Sequence, residues 1–371
     1  MPYGTSILAA AVDAADAADA SLLVMNKVRN ESHGSFMSPS CFVRDPCAPD
    51  TSMSTSDLDT RYAPASVHRM LRGPDWADVT RVAAHPWLPL VAVGFNRGSC
   101  IRVWDTETGV LVHTLDGGQA RNTSCLAFDP SGRWLAAGVG LSVLCWDLDT
   151  GTCLSQFNGH RASIDTVIWH PSSILLASSS HDRTVRVWNK ESGTLQSSLS
   201  YSSNRFGRLA LASHPTDDVF VGKVEQDLCI WNWGSGECIQ TLKDAGSTQS
   251  IVASNEWIIT GCLYRTSKAC RWADLQFVRC FQDERPNHVW DHSMAWRDST
   301  LAIINDCRVT VWTTTSSSTE PLKCTFRGRL SFEPSRLAGI YGIAITSTGD
   351  IVCSIEQHSH AMAVLRLDPS L

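Results

Sequence analysis

Along most of this chain, short apolar runs alternate with turn residues. Ile101-Arg102-Val103, Val143-Leu144-Cys145, Val185-Arg186-Val187, Leu228-Cys229-Ile230 and Val309-Thr310-Val311 are β-branched or apolar triplets that suit a pleated strand better than a helical stripe. Each runs directly into a tryptophan: Trp104, Trp146, Trp188, Trp231 and Trp312. Trp272, preceded by Ala269-Cys270-Arg271, falls into the same rhythm, and the successive separations are 42, 42, 43, 41 and 40 residues. Self-similarity at such a period is the mark of a repeat architecture.

Each period contains the same further signals. A proline turn stands ahead of the first four tryptophans, at His85-Pro86, Asp129-Pro130, His170-Pro171 and His214-Pro215, and a second apolar run follows it. After the tryptophan comes a glycine turn, at Thr108-Gly109, Thr150-Gly151, Ser192-Gly193 and Ser235-Gly236, and then another strand-like run. Four short strands per period describe one blade of a β-propeller.

The segment from Gly159-His160 through Ser178 and Asp182 to Trp188-Asn189 resembles a WD repeat, the unit that runs from Gly-His to Trp-Asp; Trp104-Asp105 and Trp146-Asp147 supply the dipeptide itself. The resemblance covers roughly residues 65–371, is strongest in the first four repeats and is skeletal in the last. It implies an all-β fold. Six tryptophan-marked repeats are followed by strand-like runs over residues 341–346, 351–355 and 362–367, which make three strands of a seventh blade. The fourth is predicted from the other end of the chain. His68-Arg69-Met70-Leu71 aligns without a gap on Val112-His113-Thr114-Leu115, so an N-terminal strand completes the last blade and closes a seven-bladed ring.

The remaining sequence partitions around this ring. Residues 1–60 are rich in Ala, Ser, Asp and Pro and are expected to form a disordered tail with an Ala-rich helix over residues 7–28, leaving 61–371 as the propeller. Residues 313–336, which include a Thr/Ser run, are expected to form a long irregular loop between blades six and seven, with one strand over 322–327.

Composition narrows the function classes. A net charge of −6 argues against a nucleic-acid platform. No apolar run reaches the roughly 18 residues of a membrane span. The Ala-rich N-terminus carries Asp13, Asp16 and Asp19, unlike a secretory or mitochondrial leader. Fourteen cysteines without a Cys-x-x-Cys pair read as reduced thiols, with no metal or other cofactor, in the cytoplasm or alternatively the nucleus.

His160, Ser178 and Asp182 are the residue types of a hydrolytic triad. The resemblance implies instead that, with Trp188, they form a structural hydrogen-bond set inside one blade, and no Gly-x-Ser-x-Gly elbow occurs. His85, His170 and His214 recur at turns of three different blades, a spacing that separates them as metal ligands. The resemblance further implies a non-catalytic scaffold or adaptor working within a multiprotein complex. Its partners would bind three positions per blade on the narrow face. These are Asp78, Thr80 and Arg97 in the first blade, Asn122 and Ser124 in the second, and Ser163, Asp165 and His181 in the third. Trp290, His292 and Asn305 follow in the sixth and Tyr341 in the seventh. The alternatives are a WD-repeat hydrolase of the diphthine methylesterase type and a phosphoinositide- or membrane-docking propeller. Phe326-Arg327-Gly328-Arg329 only scrambles the Phe-Arg-Arg-Gly motif of the latter. A Trp-Asp-x-Arg signature of cullin-4 adaptors is absent.

Overall fold

The computed structural model describes residues 65–73, 78–96, 100–118, 122–201, 209–246, 248–262, 266–282, 293–305, 308–315, 323–331, 342–355 and 361–367. The chain divides into two units, Met1–Ala48 and Pro49–Leu371, and every described residue lies in the second. The expected tail over 1–60 is outside the described residues.

All described elements are strands, arranged in seven four-stranded antiparallel sheets. In the first six, the strands lie in chain order from the inside out; blade 3, for example, is built from Ile164–Trp169, Leu175–Ser180, Thr184–Asn189 and Leu195–Ser200. Blade 7 takes Ile343–Ile345, Ile351–Ile355 and Ala361–Leu367 from the C-terminal end of the sequence and Ala65–Arg72 from the N-terminal part as its outer strand. Leu71 pairs with Met362 and Val67 with Leu365. The innermost strands neighbour one another in sequence order, and that of blade 7 meets that of blade 1, which closes the ring.

Every core cluster is shared by two adjacent blades, because alternate side chains of one strand point to opposite sheet faces. Val91, Val93 and Trp104 of blade 1 pack with Val352, Met362 and Val364 of blade 7. Ala92, Ile101 and Val103 of the same strands pack with Leu135, Ala137 and Trp146 of blade 2. In blades 1 to 3 the second strand is therefore buried at nearly every position, whereas the third strand of blades 1 and 3 keeps an alternation in which a half-buried arginine separates buried apolar residues.

Three turn histidines add polar attachments between blades. The Nδ1 of His85 accepts the backbone N–H groups of Trp87 (3.0 Å) and Leu88 (2.8 Å). That fixes the proton on Nε2, which donates to the Gly132 carbonyl of blade 2 at 3.0 Å. His170 likewise accepts the Ser172 N–H and reaches Asp218 of blade 4 at 2.9 Å. His214 accepts the Asp217 N–H and reaches the Asn255 carbonyl of blade 5 at 3.1 Å. These are turn residues that also hold the next blade, an attachment invisible in their sequence spacing.

Two expectations need correcting. Within residues 313–336 the described ones, 313–315 and 323–331, are strand rather than loop. The third strand of blade 6 runs through Arg308–Thr315 and its outer strand through Lys323–Ser331, paired from Arg308 with Ser331 to Thr315 with Lys323. The Thr-rich run is β-branched, and part of it is strand. Trp272 is not the rhythm tryptophan of blade 5. That blade's third strand ends at Arg271, and Cys270 takes the position, paired with Ile258 and Phe277 as Trp231 pairs with Phe220 and Cys238. Trp272 sits in the following turn, where its indole donates to the Ser254 carbonyl at 2.9 Å.

Ring closure makes residues 65–72 structurally indispensable. A chain lacking residues 1–72 exposes the edge of the Ala361–Leu367 strand and should aggregate, whereas one lacking residues 1–60 should stay monodisperse by size-exclusion chromatography.

Candidate functional site

In blade 3 the second strand brings Ser178 beneath the indole of Trp188 on the third, and the connection entering the blade brings in His160. The Trp188 Nε1–H donates to Ser178 Oγ at 2.8 Å. Ser178 Oγ and His160 Nε2 are 2.8 Å apart, and His160 Nδ1 lies 2.9 Å from Asp182 Oδ2. One proton assignment satisfies the whole chain: Ser178 donates to Nε2, and Nδ1–H donates to the carboxylate. The far end of Asp182 is filled as well, since Oδ1 accepts from the Thr184 N–H and hydroxyl and Oδ2 also accepts from the Arg161 N–H.

Distances alone do not separate this set from a Ser-His-Asp triad; burial does. Ser178 is 0% exposed and Trp188 2% exposed, so the hydroxyl meets an indole and an imidazole rather than a substrate. A nucleophile needs a reacting carbon within reach, and this one is sealed inside the sheet packing. Burial holds the His160 pKa below 6.5 against the opposing pull of Asp182, which keeps the ring neutral. Burial alone would raise the Asp182 pKa, but hydrogen bonds from Thr184, the Arg161 N–H and His160 outweigh it and hold the carboxyl at about 2.

One end of the ring carries the blade-to-blade connections and the turns between second and third strands, and it is the end that the resemblance designates the narrow face. There the innermost strand is irregular in the same way in four blades. The register against the second strand skips one residue between Val79 and Arg81, Thr123 and Cys125, Ile164 and Thr166, and Thr248 and Ser250. The extra residues, Thr80, Ser124, Asp165 and Gln249, are β-bulges, a device that re-aims a side chain without ending the strand. Thr80, Ser124 and Asp165 are three of the positions assigned to partner binding from the sequence.

These side chains are engaged locally. Thr80 Oγ1 donates to the Thr123 carbonyl of blade 2 at 2.8 Å, and Ser124 Oγ to the Gly138 carbonyl at 3.2 Å. Asp165 pairs with His181 Nε2 at 2.9 Å and accepts the Leu209 N–H at 3.3 Å, linking blade 3 to blade 4. Asp78 and Asn96 clasp each other, with the Asp78 N–H on Asn96 Oδ1 at 3.0 Å and the Asn96 amide on Asp78 Oδ2 at 2.7 Å. Asn122, Ser163 and His181 are exposed, and Arg161 and Arg183, which the sequence reading passed over, are exposed beside them. Asn305 ends the second strand of blade 6, paired with Arg308. Arg97, Trp290, His292 and Tyr341 lie outside the described residues.

Among the described residues no group of three or more His, Cys, Asp and Glu side chains could hold a metal ion. Burial pushes the thiols of Cys125 up to about 11 and of Cys145 and Cys353 up to about 12, so all three behave as small apolar side chains.

The family described as "WD domain, G-beta repeat" matches residues 109–147 and 151–189, the second of which ends one residue past Trp188. With the hydrogen-bonded set of blade 3 and the seven sheets in view, the family is settled. This chain is a WD-repeat β-propeller. The WD-repeat relatives it resembles include human striatin, 34% identical over 115 residues, which make up 30% of this chain and 14% of striatin. The periodic tryptophan protein 2 homolog of Schizosaccharomyces pombe is 34% identical over 119 residues, 31% of this chain and 14% of that protein. A probable cytosolic Fe-S cluster assembly factor of Schizosaccharomyces japonicus is 31% identical over 121 residues, 32% of this chain and 19% of the relative. The match to this WD-repeat chain thus spans less than a fifth of each relative.

Two measurements check the blade 3 assignment. Replacing Ser178 with Ala leaves the buried Trp188 N–H without an acceptor and should cost about 1–3 kcal/mol in denaturant unfolding. The pH dependence follows from the buried histidines His85 and His160. Burial lowers the pKa of both His85 and His160 below 6.5, so the unfolded chain binds more protons than the folded one in this range. Their contribution to stability is complete above pH 6.5 and is lost as pH falls below it. Asp182 adds a second loss between its ordinary value of 3.8 and about 2. Thermal melts across this range should show Tm falling in those two stages, and His160→Gln should diminish the upper one.

Proposed function

We propose that this propeller is a non-catalytic scaffold that binds protein partners on its narrow face within a multiprotein complex. The observation that carries the reading is the repeated bulge of the innermost strand. In blades 1 to 3 it marks the same face at the same level, next to the exposed side chains of Asn122, Ser163 and His181. Rigid strands thus hold a ring of polar side chains in fixed positions, the preorganisation that an interface rewards. The sequence assigns Arg97, Trp290, His292, Asn305 and Tyr341 to the same surface, and an aromatic pair there has the chemistry of a hot spot.

The sealed position of Ser178 weighs against a hydrolytic use of the triad-like set. The relatives support a platform rather than a shared reaction, since proteins with unlike names each match about a third of this chain. Free thiols, three of them made inert by burial, favour a reducing compartment, and we assign the protein to the cytoplasm or nucleus.

The test places bulk on each surface in turn. Asn122→Tyr with Ser163→Tyr should abolish partner recovery by affinity capture and mass spectrometry at unchanged Tm. Leu154→Arg, on the exposed outer strand of blade 2, should leave recovery intact. The reverse pattern would move the interface to the rim and overturn the assignment.

A further inference from the structure

The narrow-face end of blade 3 has a particular charge chemistry. Arg161, Ser163, His181 and Arg183 are all exposed there, on the connection into the blade and on the turn between its second and third strands. Two carboxylates lie among them, and both are withdrawn. The Asp182 side chain is 7% exposed and takes four hydrogen bonds, from His160, the Arg161 N–H, and the N–H and hydroxyl of Thr184. The Asp165 side chain is 2% exposed, with one oxygen on His181 and the other on the Leu209 N–H. Among the described residues no acidic side chain pairs with Arg161 or Arg183.

The backbones that carry these arginines are fixed. The Arg161 N–H is held by Asp182 at 2.8 Å. The Arg183 N–H donates to the Ser180 carbonyl at 3.0 Å, and its own carbonyl accepts from the Tyr201 N–H at 3.2 Å. Arg183 also adopts φ 67°, a left-handed conformation that blade 2 gives to Gly140 at φ 63° in the corresponding turn. Arginine thus occupies a position that glycine would fill with less strain. The His181 N–H is tied to the Ser163 carbonyl at 3.1 Å, which locks the two segments together. The result is a pair of exposed arginines on fixed main chain, beside an exposed hydroxyl and imidazole, with the neighbouring carboxylates withdrawn from the surface under hydrogen bonds.

We propose that this end of blade 3 binds an acidic peptide segment of the partner, with Arg161 and Arg183 engaging its carboxylates and Ser163 and His181 supplying hydrogen bonds. The proposal rests on the narrow-face reading above and adds the chemistry of the ligand. Guanidinium groups suit it because their paired N–H donors match the two oxygens of a carboxylate. The overall charge of −6 sharpens the selectivity, since most of this protein's surface repels an acidic chain.

The experiment uses the full chain and a fluorescein-labelled oligoglutamate peptide, with a glycine-serine peptide of equal length as control, followed by anisotropy. Oligoglutamate should bind, weakening as salt rises through the physiological range, and the control should not. Arg161→Glu with Arg183→Glu should weaken binding by about tenfold or more, while Arg161→Lys with Arg183→Lys retains part of it. Lys190→Glu, in the turn on the opposite face, should change nothing. Should the double reversal perturb folding, the single alanine variants serve instead, because the bonds that position these residues are made by their main chains. Absence of oligoglutamate binding, equal binding by the double-reversal variant, or equal weakening by Lys190→Glu would overturn the proposal. Partner capture separates the two readings. If Asn122→Tyr with Ser163→Tyr abolishes it and the double reversal does not, the narrow face is the interface and its ligand is not acidic.

Discussion

The close approach of neighbouring innermost strands is the constraint on which this ring depends. Blades are wedge-shaped layers that pack face to face, and near the axis there is little room for side chains. The second strand meets this with a small residue at one register position. A Cβ on Gly94 would lie 2.6 Å from Thr123, one on Gly138 2.8 Å from Ile164, and one on Gly261 3.2 Å from Met294, each on the next blade. In blade 3 the position is Ser179, fully buried, whose hydroxyl donates to the Leu209 carbonyl of blade 4 at 2.7 Å. Farther out the gap is filled by large side chains such as Trp104, Trp146 and Phe220. Small near the axis and large near the rim is the shape of a wedge written in residue volumes.

From that packing follow the polar devices. A buried indole N–H needs an acceptor, and in blade 3 it receives a complete chain that ends in a carboxylate near the surface. In blades 2 and 4 that chain is replaced: Ala137 stands where Ser178 does, and Gly140 and Glu225 occupy aspartate positions. Blades 1 and 4 add attachments to the following blade through His85 and His214, as blade 3 does through His170. Blade 3 is the best-determined polar unit of the ring, and the same Asp182 that completes its interior fixes the backbone of Arg161 on its surface. Interior satisfaction and surface presentation share one carboxylate.

The rim shows how edges are managed without a neighbour. The outer strand of each of the first four blades carries a bulge opposite the tryptophan, at Val112, Leu154, Gln196 and Ile239. The N-terminal strand has its own at His68, the residue that aligns with Val112. A bulge interrupts the row of free backbone groups that another strand would need for pairing. It also turns Leu154 and Ile239 outward, which is why these large apolar residues are more than half exposed.

The sequence by itself determined the repeat, the number of blades and the closing strand. These depend on local turn chemistry and on a tryptophan rhythm that survives in single residues. It also marked His160, Ser178, Asp182 and Trp188 as a set. It misjudged blades 5 and 6 where that signal decays: Cys270 stands at the position that Trp272 mimics two residues later, and a Thr-rich stretch reads as a loop although part of it pairs as a strand. Whether Ser178 is a nucleophile or an internal acceptor could not be decided from residue types, because the two differ in solvent access and not in composition. Which of the narrow-face positions are exposed was equally hidden. A bulge is a matter of register between two strands, and the withdrawal of Asp165 and Asp182 that leaves Arg161 and Arg183 as the outward charge depends on partners up to 44 residues away. Only the folded sheet brings those partners into reach.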